Sequence, residues 1–144
     1  DIPINVGGFS PKNFSLQSDN NSKTELNLKS DKATIELSEN TSLKALVASL
    51  ELKCDLYEKA KATLEGEVDN AVIRLDNNAV LTANNLVIKN ADLLTENYSS
   101  CDINVNSLLS LDASGNSTIH LYGEQKIETK RFMDNASLIK KPTK

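Results

Sequence analysis

The sequence predicts an all-β chain wound as a parallel β-helix, or β-solenoid, of about six coils with a mean repeat of ~19 residues. Three observations carry this. First, a short residue, one outward position and an aliphatic recur together: Thr41-Ser42-Leu43, Ala62-Thr63-Leu64, Ala79-Val80-Leu81, Cys101-Asp102-Ile103, Ser117-Thr118-Ile119 and Ala136-Ser137-Leu138. Their first members stand 21, 17, 22, 16 and 19 residues apart, a mean of 19. Second, apolar residues between these points alternate with polar ones at a period of two, as in a strand with one buried face. Third, of the 17 Asn residues, Asn40, Asn78, Asn116 and Asn135 stand just before the recurring small residue. Asn tolerates the left-handed conformation and bonds back to nearby backbone. With only five Gly and three Pro, the bends must rest on Asn, Asp and Ser.

Along the chain, residues 1–15 hold Gly7-Gly8 and Pro11 and alternate poorly, which reads as an entry or capping segment. Phe14 and Leu16, then Leu26 and Leu28, then Ala33, Ile35 and Leu37 keep the period of two. Leu43 to Lys61 also fits a helical stripe through Leu43, Leu46, Val47 and Leu50. The strict alternation of Leu50, Leu52, Cys54 and Leu56 favours strand there. From Ala62 onward each coil holds two or three short alternating strands between polar bends. Residues 16–141 therefore read as a single solenoid domain and 142–144 as a basic tail. Parallel strands about 4.8 Å apart would stack five or six coils into a column roughly 25–30 Å long. Two inward ladders are expected: Thr41, Ala62, Ala79, Cys101, Ser117 and Ala136, and beside it Leu43, Leu64, Leu81, Ile103, Ile119 and Leu138.

Composition narrows the function classes. The 20 acids and 16 bases are mixed along the chain, with net charge −4 and no basic stripe interleaved with aromatics, so nucleic acid is not an expected partner. No apolar run approaches the length needed to cross a bilayer. Cys54 and Cys101 fit neither a disulfide framework nor a zinc spacing, and read as buried free thiols. No cofactor is expected, since the glycine patterns of nucleotide-binding loops and the serine elbow of hydrolases are missing.

His120, the single histidine, falls outward between Ile119 and Leu121 and reads as a solvated strand residue. Glu65, Glu67 and Asp69 share one face, where paired carboxylates can serve glycosidic acid/base chemistry or hold calcium. With no further acids expected on the adjacent coil, a solvated face is favoured. Three of six N-x-S/T sequons (Asn40, Asn116, Asn135) are the repeat's own bend. A contact face is expected along the outward column Lys44, Glu65, Thr82, Asn104 and His120.

Several segments carry a family resemblance: Ala83-Asn84-Asn85-Leu86, Cys101-Asp102-Ile103-Asn104-Val105-Asn106, Leu111-Asp112-Ala113-Ser114-Gly115-Asn116-Ser117, Tyr122-Gly123, and Asp134-Asn135-Ala136-Ser137-Leu138-Ile139-Lys140-Lys141. From about Leu64 to Lys141 the chain resembles the bacterial family named putative auto-transporter adhesin, head GIN domain. The resemblance implies a right-handed parallel β-helix, secreted or tethered to the outer membrane of Bacteroidetes-like bacteria, and brings no catalytic residues. It favours a non-enzymatic, extracytoplasmic scaffold in the periplasm, on the outer membrane or secreted. Such a protein would contact a cell-surface glycan or protein, be peripheral or lipid-anchored as a lipoprotein rather than spanning, and form a possible homodimer. One alternative is a small-ligand or lipid-binding module with an apolar groove near residues 86–98, using Leu93, Leu94 and Tyr98. The other is a carbohydrate-active β-helix enzyme.

Overall fold

The structure is a computed structural model that describes residues 2–5, 13–18, 21, 23–133 and 135–140. It is an all-β parallel solenoid of about six turns, with no helix among the described residues. The strands are β1 (Ile2–Asn5), β2 (Asn13–Ser18), β3 (Lys23–Leu37), β4 (Ser42–Leu56), β5 (Lys61–Leu75), β6 (Val80–Thr95), β7 (Ser100–Ala113), β8 (Thr118–Tyr122), β9 (Lys126–Phe132) and β10 (Ser137–Lys140). Strands β3 to β7 each make one whole turn and pair in parallel with the next. Strands β8 and β9 pair with the two halves of β7, and β10 continues on β8. At the other end β1 and β2 pair with the two halves of β3, so residues within 1–15 add backbone to the stack. The tail at 142–144 lies outside the described residues.

Each whole turn has two walls because its alternation breaks once. In β3 the inward residues Thr24, Leu26, Leu28 and Ser30 give way to two successive outward ones, Asp31 and Lys32. Ala33, Ile35 and Leu37 then face in. Leu50 and Glu51 repeat this corner in β4, as do Asp69 and Asn70 in β5. A corner leaves backbone carbonyls without ladder partners, and such groups must bond somewhere. Here Ser30 Oγ donates to the Lys32 carbonyl at 3.1 Å and Ser49 Oγ to that of Glu51 at 2.6 Å.

The opposite edge closes with a tight turn whose two central residues are both left-handed. Glu39 and Asn40 (φ 54° and 62°), Glu58 and Lys59 (53°, 67°), Asn77 and Asn78 (53°, 66°), Asn97 and Tyr98 (50°, 67°), and Gly115 and Asn116 (66°, 62°) occupy these positions. Ala60 N donates back to Tyr57 O at 3.1 Å and Ser99 N to Glu96 O at 3.3 Å, the type I′ pattern. The turns also stack, with Asn40 N on Glu58 O at 3.0 Å and Lys59 N on Asn77 O at 2.9 Å. A left-handed residue with a side chain costs about 1–2 kcal/mol, least for Asn. Lys59 carries that cost on an exposed side chain. Lys59→Asn is therefore expected to stabilise the chain by about 0.5–1 kcal/mol, raising Tm by roughly 2–4 °C in a thermal melt.

The inward ladders differ from the expected ones in two coils. The small residue after each turn is Thr41, Ala60, Ala79, Ser99, Ser117 and Ala136, joined by bonds such as Lys61 N to Thr41 O at 2.9 Å and Thr118 N to Ser99 O at 3.0 Å. Ala62 and Cys101 instead belong with Leu43, Leu81, Ile119 and Leu138. Leu64 pairs with Ala45, and Ile103 with Ala83 and Leu121. A slip of two residues preserves which side chains face inward, so alternation alone cannot detect it. Glu58-Lys59 also lacks the Asn that marks other turns. The true register explains the core's mixed sizes. Leu43 sits near Ala45, Ala62 near Leu64 and Leu81 near Ala83, so β4, β5 and β6 each contribute one large and one small side chain to adjoining ladders. All six are nearly inaccessible to solvent, consistent with close packing.

Candidate contact faces

The outward ladder containing Lys44 runs Glu25, Lys44, Thr63, Thr82, Asp102, His120 and Ile139. It brings Lys44, Thr82 and His120 together as the sequence reading expects. It does not include Glu65 or Asn104. Glu65 pairs with Leu46 and Asn85, while Asn104 pairs with Val87 and Tyr122, both in the adjoining region of the same wall. The two-residue slip is again the reason, compounded by register shifts after Thr63 and Ala83. Glu67 faces outward between Ala48 and Val87, so the acids at 65, 67 and 69 gain no acidic partner from the adjoining strand positions of Glu65 and Glu67.

The corrected register gives His120 a neighbour that the sequence column missed. Asp102, 18 residues earlier, places Oδ1 at 2.8 Å from His120 Nδ1, with both side chains about one-third exposed. The carboxylate orients the ring and favours a proton on Nδ1. Catalysis by such a pair would need a nucleophile or polarised substrate group at the other ring nitrogen. Among the described residues no hydroxyl or thiol is hydrogen-bonded to His120.

On the other wall, Glu36, Asp55 and Arg74 stack in one outward ladder. With Tyr57, Asp76 and Asn77 they line a groove of ≈330 Å³. Tyr57 Oη donates to Glu36 Oε1 at 2.7 Å, and this bond raises the phenol's pKa. Asp76 Oδ1 accepts from Asn77 N at 2.8 Å and Asn97 Nδ2 at 2.7 Å, tying the groove to the turns. Further along, Arg131 Nε meets Asp112 Oδ1 at 2.6 Å.

Both thiols lie in the core. Cys54 and Cys101 are free and buried, on strands separated by β5 and β6. Burial pushes the Cys54 pKa up to about 12 and that of Cys101 well above its ordinary value, so both stay protonated. Residues expected to make an apolar groove near 86–98 do not converge. Leu93 is core, Leu94 faces outward and is half-buried, and Tyr98 stands exposed on a turn. Among the described residues no group of three His, Cys, Asp or Glu side chains could hold a metal ion, and no helix is long and apolar enough to cross a membrane.

Searches of curated proteins and of solved structures return no match. A family model matches residues 1–124, including the N-terminal coils and stopping before Asp134 to Lys141. The chain belongs to the family described as putative auto-transporter adhesin, head GIN domain.

Proposed function

We propose that this chain is a non-enzymatic, extracytoplasmic scaffold whose outward ladders contact glycan or protein on a cell surface. The observation that carries the reading is the shape of the turns. The two-residue bends between β3 and β7 leave no long loops to wall a cleft, while each wall presents polar side chains at a fixed strand spacing. Family membership supports surface binding and a location outside the cytoplasm. In this reading residues 16–141 act as one unit, held peripherally or by a lipid anchor, and 1–15 cover the N-terminal edge. In the same reading the chain forms a homodimer, which sedimentation equilibrium reads directly.

The test pairs binding with turnover. Purified chain is applied to a printed glycan array and to outer-membrane preparations, and is incubated with acidic polysaccharides while reducing ends are assayed. Saturable retention with no released ends is expected. Release of reducing ends, or retention on neither surface, overturns the proposal.

A further inference from the structure

Three lysines far apart in the sequence meet on one wall. Lys23, Ser42 and Lys61 form a single outward ladder across β3, β4 and β5. Lys44 lies two residues beyond Ser42, in the neighbouring ladder between Glu25 and Thr63. Lys23 and Lys61 are therefore two strand spacings apart, about 9.6 Å at the backbone, with Lys44 on the strand between them. All three are exposed, and with Glu25, Ser42 and Thr63 they line a groove of ≈430 Å³.

What sets these lysines apart is that the three share one groove, unneutralised. Lys32 pairs with Glu51 at 3.6 Å and Lys130 with Asp92 at 3.8 Å. None of the three has a carboxylate within 4.0 Å among the described residues. The groove thus carries three positive side chains against one negative on a chain of net charge −4. Its backbone is fixed by ladder bonds on both sides, so the lysine stems start from set positions. The Ser42 and Thr63 hydroxyls between them can donate to an anion's oxygens. No aromatic side chain lines the groove, so it lacks the stacking platform that single-stranded nucleic acids use.

We infer that this wall binds an acidic polysaccharide, with carboxylate or sulfate groups seated among Lys23, Lys44 and Lys61. The inference rests on the proposed scaffold function and names the ligand class for one of its faces. Binding of this kind depends on exposed charge, so it weakens as salt rises and the Debye length shortens.

The test measures binding of the intact chain to immobilised polygalacturonate, heparin, single-stranded polynucleotide and neutral dextran by surface plasmon resonance, at low and at high salt. Two triple variants are compared after circular dichroism confirms their fold: K23Q/K44Q/K61Q, and K53Q/K89Q/K126Q with the same loss of charge elsewhere. The unaltered chain should bind at least one acidic polymer and not dextran, with the preferred polymer distinguishing carboxylate from sulfate. The first triple should lose roughly 10- to 100-fold in affinity, at two- to fivefold per lysine, and the second much less. Equal losses in both triples, or tighter binding to single-stranded polynucleotide, overturn the inference. Neutral glycans bound equally by all variants would sink it while leaving the scaffold reading standing. Retention on no glycan and no envelope preparation would sink both.

Discussion

Replacing Leu81 by Asp is expected to unfold the chain, seen as loss of a cooperative thermal transition and of the β signal in circular dichroism. Leu81 is 1 % exposed on β6, and its ladder neighbours are Ala62 and Cys101, neither of which can pair with a carboxylate. The change removes about 1.5–3 kcal/mol of apolar burial. It also places an ionisable group where desolvation costs several kcal/mol more, or forces that group to take up a proton. The sum approaches the 5–15 kcal/mol that holds an ordinary domain together. A solenoid has no second core to fall back on, because each turn is supported only by its neighbours. Val80 supplies the control. It is the adjoining outward residue, stacked between Lys61 and Ser100, and Val80→Asp should cost no more than about 1 kcal/mol. A folded Leu81→Asp chain with nearly unchanged Tm would show that the inward ladders are misassigned.

The fold was legible because two signals agreed. The period of two in stretches such as Leu52, Cys54 and Leu56 identifies strands and overrides a helical stripe through Leu43 and Leu46. Leu50 shares their parity but faces outward, because the corner breaks the alternation there. The recurring small residue then gave the coil length. Register was less legible. Parity fixes the face but not the position along it, and the Glu58-Lys59 turn adopts the left-handed geometry without Asn to announce it. Alternation alone therefore selects Ala62 over Ala60 as the recurring small residue, and Cys101 over Ser99.

That single ambiguity propagated to the surface. Outward columns inherit the inward register, so alternation alone sets Glu65 beside Lys44 and Asn104 beside His120 and hides the contact between Asp102 and His120. The lysine groove was invisible for the same reason. Lys23, Lys44 and Lys61 are 21 and 17 residues apart, and no run of basic residues signals them. Only the ladder from Lys23 through Ser42 to Lys61 puts them on one wall.

Gly66→Ala is expected to be the most damaging of the conservative changes. Gly66 stacks between Val47 and Leu86, both fully buried, where the β5–β6 pairing has just shifted register. Its φ of +121° is a conformation that side-chain-bearing residues rarely adopt. A methyl group there would lie 2.0 Å from the Val47 carbonyl oxygen and 2.9 Å from its carbon. Both are backbone atoms of the preceding turn, so no side-chain rotation relieves the overlap. Either β4 and β5 move apart, weakening the ladder on both sides, or Gly66 changes conformation and drags Glu65 and Glu67 from their outward positions. Backbone strain of about 1–3 kcal/mol and a similar overpacking term give roughly 4 kcal/mol in all. For a chain of this size that corresponds to a fall in Tm of roughly 10–15 °C. A melt within a degree of the parent would mean that the turns can separate locally without cost. The close stacking of β4 on β5 would then not be what fixes the spacing of the lysines on the opposite side of that wall.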